Sequence, residues 1–298
     1  MAEHISVIGG ANFDISAALS NAFVAADSNP GHVSLGYGGV ARNIAHNLLL
    51  LGHEVHFLSA FGGDIFGGLT YDRCKSIGLN LSMSMQIKEE RTGIYLCINN
   101  HSGEMIAAVA DTDIINNITP EYLQKHLGQL NQSEAIVLDT NLPEASIQFM
   151  LENSLAPVFV DTVSSAKAWK LLNALRNSKM PKLHTAKLNW KEASIVTESV
   201  TVEEAAQKLI DLGAEHVYIT RSGEGVYCAS AKQTAAYPAL PGEIVNTTGA
   251  GDAFLAGVVH AKLQGISFPQ TAQYGLMAAR ATLQSEQAVN PNIANILL

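Results

Sequence analysis

The run Asn246-Thr-Thr-Gly-Ala-Gly-Asp252-Ala-Phe-Leu-Ala-Gly257 sets three small residues directly before an aspartate and an apolar segment. Gly249, Ala250 and Gly251 let the backbone approach a ligand closely, and the residues from about Ala253 to Leu263 read as a helix. A glycine-rich turn feeding a helix aims unpaired N–H groups and the positive end of the helix dipole at one point, which suits an anion. A negative Asp252 at that mouth is repulsive unless it takes up a proton during reaction. A general base accepting the proton of an attacking hydroxyl does so. On local spacing alone, an aspartate that merely caps the helix explains the same residues.

Other groups invite similar readings. Gly9-Gly-Ala-Asn-Phe-Asp14 follows a short apolar strand, so Asn12 and Asp14 sit at a strand's carboxyl end, where short polar side chains can bind sugar hydroxyls. Gly38-Gly39 permits close backbone approach, and Asn43 lies one helical turn further on; a turn with ordinary caps accounts for them as well. In Lys187-Leu-Asn189-Trp-Lys-Glu192, Asn189 and Glu192 share a face if helical and could act on Mg2+ through water. A capping-box pair is equally natural at that spacing. Asn141 precedes Leu142-Pro143 at another strand end, and Thr220-Arg-Ser-Gly223-Glu-Gly225 must form a tight turn after a strand. Lys167, beyond Val160-Asp-Thr-Val-Ser164, could pair with a phosphate, although a solvated helix lysine is the plainer reading.

These residues need a scaffold, and apolar patterning supplies one. Ile5–Ile8, His56–Ala60, Ile136–Asp139, Val158–Asp161, Ala186–Leu188 and Val217–Thr220 read as buried strands. Helices follow most of them, at Val40–Leu51, Phe66–Ile77, Glu144–Leu151, Ser165–Asn177 and Val202–Leu212. In the first, Val40, Ile44, Leu48 and Leu51 recur at helical spacing, and Gly52 is placed for the left-handed C′ position. Strand–helix alternation predicts a parallel sheet covered on both faces, with ligands at the carboxyl strand ends. His32–Tyr37, and a hairpin of Arg91–Ile98 with Glu104–Val109 around His101-Ser-Gly103, break the rhythm. They predict a small antiparallel sheet acting as a lid, drawn from about residues 13–38 and 91–110, whose edges and apolar face suit pairing with a second copy.

Composition narrows the chemistry. The 298 residues are 47% hydrophobic and 15% charged with a formal charge of −9, and no basic stripe suits nucleic acid or an anionic membrane. No apolar run approaches the roughly 18 residues of a membrane span. The N-terminus reads directly into a strand rather than a signal peptide, and Cys74, Cys97 and Cys228 are scattered, so a cytoplasmic protein is expected. No repeat or linker divides the chain, so one domain over 1–298 is expected. No Gly-Lys pair of a Walker loop, H-E-x-x-H or G-x-S-x-G occurs, and Gly9–Asp14 is not a dinucleotide fingerprint. The ten histidines are scattered and read as surface or packing residues.

Asn246–Gly257 resembles the C-terminal signature of the PfkB (ribokinase-like) carbohydrate and nucleoside kinases, and Gly38-Gly-Val-Ala-Arg-Asn43 resembles their N-terminal signature. The resemblance covers essentially the whole chain. It implies an α/β fold, a ribokinase-like three-layer α/β/α sandwich with a mainly parallel central sheet and a small antiparallel β lid. It implies an ATP-dependent phosphotransferase in which Asp252 is the base and the amides of Gly249, Ala250 and Gly251 form the anion hole. Asn12, Asp14, Gly38, Gly39 and Asn43 match positions lining the family's sugar pocket. Residues 187–192 resemble its N-x-x-E motif, implying Asn189 at ATP and Glu192 at Mg2+. Asn141 stands where ribokinase carries an acidic residue near the metal, an amide being the weaker ligand. Thr220, Ser222, Gly223 and Gly225 match its turn beneath the nucleotide, and the Gln273–Leu283 helix would close the adenine side. Asn246 replaces the family's usual aspartate, which in ribokinase helps hold a monovalent cation, so activation by such a cation stays open.

Within the family, Ser28-Asn-Pro-Gly31, residues 38–43, Arg91-Thr-Gly-Ile-Tyr95, Asp161-Thr-Val-Ser164 and residues 246–252 are most similar to kinases of pseudouridine, apart from Thr162 and Leu188, where proline is expected. That similarity implies phosphorylation of the nucleoside 5′-hydroxyl, with Thr92 and Tyr95 on the hairpin touching the base. A kinase of ribose, a purine nucleoside or a ketose is the nearest rival, and a non-catalytic nucleoside sensor is a more distant one.

Overall fold

Alternation along each strand decides the layering. Ile136 and Leu138 enter one buried cluster, whereas their neighbours Ala135 and Val137 enter another, so the sheet carrying them is packed on both faces. The computed structural model describes residues 4–297, so the ends of the expected 1–298 domain lie outside the described residues. In chain order the strands are β1 (His4–Ile8), β2 (Asn12–Leu19), β3 (Gly31–Gly38), β4 (Glu54–Leu58), β5 (Ala60–Gly62), β6 (Met85–Ile87), β7 (Gly93–Asn99) and β8 (Met105–Asp111). They continue as β9 (Ala135–Asp139), β10 (Val158–Asp161), β11 (Leu183–Asn189), β12 (Ala214–Thr220), β13 (Val226–Ser230) and β14 (Thr234–Tyr237). The helices are α1 (Val40–Leu50), α2 (Ile65–Ser76), α3 (Pro120–Leu130), α4 (Glu144–Asn153), α5 (Ser165–Asn177), α6 (Trp190–Thr197), α7 (Val202–Asp211), α8 (Ala250–Leu263), α9 (Thr271–Leu283) and α10 (Ala294–Leu297).

The main sheet has eight strands in the order β14-β13-β12-β11-β10-β9-β1-β4, parallel from β4 to β12 and antiparallel at β13 and β14. Helices α3 to α7 contribute to the cluster on one face, and α1, α8 and α9 to that on the other. This is the three-layer arrangement expected from the alternation.

A second sheet, ordered β3-β2-β7-β8, joins two antiparallel pairs through a parallel pairing of β2 with β7. Its register aligns Leu35, Ile15, Leu96 and Val109 in one row and Val33, Ala17, Ile98 and Ala107 in the next. Both rows lie on one face, because side chains repeat every second residue. A short pair, β5 with β6, completes the sheets.

One buried carboxylate ties the loops at the carboxyl strand ends together. Asp139 ends β9 and accepts from the Gly10 N–H at 3.1 Å, the Ala41 N–H at 3.0 Å, the Asn141 N–H at 3.0 Å and Asn141 Nδ2 at 2.7 Å. It thereby fixes the turn after β1 and the start of α1 in one place. Gly39, the N-cap of α1, has φ 99°, and a Cβ there would run into the Gly10 carbonyl, so only glycine lets these two turns touch.

Replacing Asp139 by alanine strands four donors in the interior. The variant is expected to lose about 3 kcal/mol or more of stability, read from urea denaturation. A loss below about 1 kcal/mol would show that the two turns hold themselves.

Candidate active site

Helix α8 begins at Ala250, three residues before the position expected from the apolar run, because Gly249 takes the left-handed conformation (φ 83°) and serves as its N-cap. A side chain on Gly249 would strike the Ala288 carbonyl. The first amide to close the helix is that of Ala253, onto the Gly249 carbonyl at 2.9 Å, and the Ala250 N–H reaches the Thr247 carbonyl only at 3.5 Å, so the helix start keeps poorly satisfied amides.

Asp252 therefore stands inside the first turn, not at the cap, and makes no capping bond. Its partner comes from another element: Asn43 Nδ2 in α1 donates to Asp252 Oδ2 at 2.8 Å. The cap explanation of this aspartate is thereby set aside. Burial pushes its pKa up to about 7 and the nearby Asp161 adds to the rise, against the Asn43 hydrogen bond and the Lys187 charge. A carboxylate titrating near neutrality, with one oxygen held and the other uncommitted, can accept a proton from an alcohol.

Lys187, buried near the end of β11, donates to Asp161 Oδ2 at 2.8 Å. Burial opposes its charge, but Asp161, Glu192 and Asp252 together raise its pKa, so the ammonium persists. A Cβ on Gly251 would lie 2.6 Å from Lys187 Nζ, so this cation sits against the glycine turn and adds positive potential to the amide cradle.

The acceptor side forms around β2, β7 and α1. Asp14 packs against Gly38, where any side chain would overlap its carboxylate, and its Oδ1 is buried without a partner. Burial lifts its pKa to about 6, opposed by the Arg42 charge. Asn12 packs against Gly93, Thr92 Oγ1 is likewise buried without a partner, and the Thr92 amide is held by Asp64 Oδ2 at 2.8 Å. Tyr95 pairs in register with Asp14, so both face the same side of the second sheet. Buried polar atoms without a protein partner, such as Asp14 Oδ1 and Thr92 Oγ1, are what hydrogen bonds from a polyhydroxylated ligand would complete.

At the other end, Asn189 and Glu192 form the capping box: Asn189 Oδ1 accepts from the Glu192 N–H at 2.9 Å, and Glu192 Oε2 accepts from the Asn189 N–H at 2.9 Å. Glu192 also accepts from Asn189 Nδ2 at 2.7 Å and Thr162 Oγ1 at 2.8 Å. Both of its oxygens are occupied, so it suits an ion that keeps its water and arrives on a phosphate. Asn141 is engaged too, accepting from Lys167 Nζ at 2.5 Å, which accounts for that lysine. The described residues put a cluster of three potential metal ligands only at His184, Glu215 and His216, near the amino ends of β11 and β12 and away from this end.

Asn189, Thr220 and Ser222 line an open cleft of about 730 Å³ together with Trp190 and Thr201. Gly223 has open space around it, whereas Gly225 (φ 94°) abuts the Tyr237 carbonyl and serves the turn. The helix expected at Gln273–Leu283 starts two residues earlier, at Thr271.

Sequence reasoning passed over Asp139, Asp161, Lys187, Arg42 and Asp64. The first two were visible as acidic residues ending predicted strands. Asp64 follows Gly62-Gly63 two residues ahead of the predicted helix; it is the N-cap of α2 and accepts from the Gly67 N–H at 2.7 Å. Nothing local distinguishes Lys187 or Arg42, whose significance depends on burial.

The chain belongs to the pfkB family carbohydrate kinases, whose sequence profile matches residues 2–295. It is an ATP-dependent phosphotransferase with an alcohol acceptor. It is similar to pseudouridine kinase of Escherichia coli (strain K12), at 32% identity over 304 residues spanning 99% of this chain and 96% of that protein. Guanosine-inosine kinase of Exiguobacterium acetylicum is 25% identical, spanning 98% of this chain and 99% of that one. Among solved structures, Arabidopsis thaliana ribokinase complexed with ribose and ATP matches with a TM-score of 0.83 at 20% identity, over 100% of this chain and 99% of that one, and shares the fold. Among the described residues, no helix is long and apolar enough to cross a membrane.

A carboxyl raised from 3.8 to about 7 binds its proton more tightly in the folded chain than in the unfolded one. Its favourable contribution is therefore whole below about pH 4 and is lost as pH climbs through about 7. Asp252→Asn removes that loss. Thermal melts are expected to show a higher Tm for the variant at pH 8 and little gain at pH 4; an equal gain at both would mean that the carboxylate is not strained by burial.

Proposed function

We propose that this kinase transfers the γ-phosphoryl group of ATP to the 5′-hydroxyl of pseudouridine, yielding pseudouridine 5′-phosphate and ADP. The observation that carries the chemistry is Asp252, buried, bonded to Asn43 at 2.8 Å and next to the poorly satisfied amides that open α8. The substrate is inferred from the relative acting on pseudouridine and from the motif resemblances at 28–31, 38–43, 91–95 and 161–164.

Asn12, Asp14, Gly38, Gly39 and Asn43 bind the ribose hydroxyls, and Thr92 and Tyr95 approach the base. Asp14 Oδ1 and Thr92 Oγ1 support this role, since both lack a partner in the protein. Asn189, Thr220, Ser222 and Gly223 border the nucleotide along the open cleft, while Gly225 keeps the turn beneath it closed. Asp252 takes the 5′-hydroxyl proton as that oxygen attacks in line, and the amides at 249–251 meet the charge on the phosphoryl oxygens. Glu192, with Asn189 and Asn141, would hold Mg2+ through water, and the ion would neutralise phosphate charge. Asn246 is a neutral amide engaged locally, donating to the Glu286 carbonyl at 3.0 Å and accepting from the Thr248 N–H at 2.9 Å, so strong monovalent-cation activation is not expected.

The chain acts as one kinase domain whose second sheet serves as lid, excluding water so that ATP is not wasted. Its free cysteines, Cys74 and Cys228 buried and Cys97 half-buried, accord with a reducing cytoplasm. Two copies pair through the lid's apolar face, where Val33, Leu35 and Val109 are 67%, 64% and 63% exposed.

An ADP-release assay across pseudouridine, uridine, inosine, ribose and fructose tests the substrate. Pseudouridine should give the highest kcat/KM; a preference for inosine or ribose overturns the choice of substrate while leaving the kinase intact. Asp252→Asn should lower kcat by several orders of magnitude with little change in nucleoside affinity. The double variant Leu35→Lys/Val109→Lys should sediment as a monomer where the parent is a dimer, and an unchanged sedimentation coefficient would exclude this face.

A further inference from the structure

We propose that Arg42 is a positioning residue for the reaction base: its guanidinium clamps the side-chain amide of Asn43 so that the NH2 end always points to Asp252. This inference rests on reading Asp252 as the base.

Arg42 stands where an arginine is disfavoured twice over. It is the third residue of α1, at the positive end of the helix dipole, and it is only 5% exposed. A buried charge normally demands an ion-pair partner, yet among the described residues no carboxylate lies within 4.0 Å of it. Its Nε is buried without a partner. What it does have is Asn43 Oδ1, to which Nη1 donates at 2.7 Å, and the neutral Cys74 thiol, held neutral by burial. Asn43 Nδ2 in turn donates to Asp252 at 2.8 Å. The three side chains form one directional chain: guanidinium to amide oxygen, amide nitrogen to carboxylate.

Direction is the point. An unclamped Asn43 could turn its oxygen toward Asp252, and that arrangement is stable only when the aspartate is protonated and unable to act as a base. A cation on the oxygen side forbids the turn, since the NH2 end cannot face a guanidinium. The charge itself acts in the same sense. The groups acting on Asp252 are Asp139 from β9, Asp161 from β10, Lys187 from β11 and Asn43 from α1, and Arg42 in turn interacts with both Asp252 and Asp14 of β2. Lys187 is bonded to Asp161, so Arg42 is the cation without an ion pair that counters this acidic cluster. Arg73 and His46 lie nearby and add only like charge or a neutral ring, so neither compensates Arg42.

Arg42→Met keeps much of the packing and removes both clamp and charge. The acid limb of its kcat–pH profile should move up by about one pH unit, with kcat at pH 7 down about fivefold and recovering toward pH 9, and KM for ATP within about twofold of the parent. Arg42→Lys, which restores the charge, should return the limb most of the way. In a double-mutant cycle with Asn43→Ala, the loss of kcat should be strongly non-additive, because Arg42 works through Asn43. If Arg42→Met does not fold, Arg42→Gln, which also removes the charge, takes its place in the pH profile and in the cycle with Asn43→Ala, with the same expected shift of the limb. An unmoved limb with additive losses overturns the proposal and leaves Arg42 a packing residue. Turnover by Asp252→Asn in the parent background would instead overturn the base assignment itself.

Discussion

The site depends on keeping one carboxylate out of water beside a cradle built for anions. Asp252 is surrounded by features that disfavour its charge, namely burial and the neighbouring Asp161, and by a small number that favour it, namely the Asn43 amide and Lys187. Neither side wins outright, and a group balanced in this way changes protonation near neutral pH. Full solvation would leave it too weak a base; complete desolvation without Asn43 would leave it protonated.

Two buried aspartates at strand and helix ends differ in how far hydrogen bonds commit them. Asp139 accepts from four donors, three of them on Oδ2. It joins the turn after β1 to the start of α1, and so sets where Asn43 stands. Asp252 receives one bond, from that same Asn43. Asp139 thus bears on where the one partner of Asp252 stands, through a single helix turn, and Gly39 lets the two turns it joins come into contact.

Much of this was legible in the residue order. The strand Val158–Asp161 and the helix Ser165–Asn177 have the boundaries their patterns imply, because an apolar run between polar ends and a helical repeat each admit one interpretation. Helix α3 was passed over although Thr119-Pro120 is a start signal, its Thr119 accepting from the Tyr122 N–H at 3.3 Å. Its Leu123, Leu127 and Leu130 also recur at helical spacing, so both the start signal and the apolar face were there to be read. β6 and β14 are three and four residues long, too short for their alternation to be distinctive. Asn189 and Glu192 were legible only as a pair with two meanings; the fold makes the capping box, and any work on a metal has to proceed without dissolving it.

Residue order by itself determined the layers, the parallel sheet and the two glycine-flanked signatures, because those follow from local periodicity and from backbone conformations that few residues can adopt. The convergence of distant side chains was decided only in three dimensions. Arg42 and Asn43 are adjacent in the chain, yet their link to Asp252 spans 209 positions. The ion pair of Lys187 with Asp161 likewise gains its force from burial, which sequence does not display. Charge–charge energies grow as water is removed, and how much water is removed is a property of the packed fold, not of any one segment.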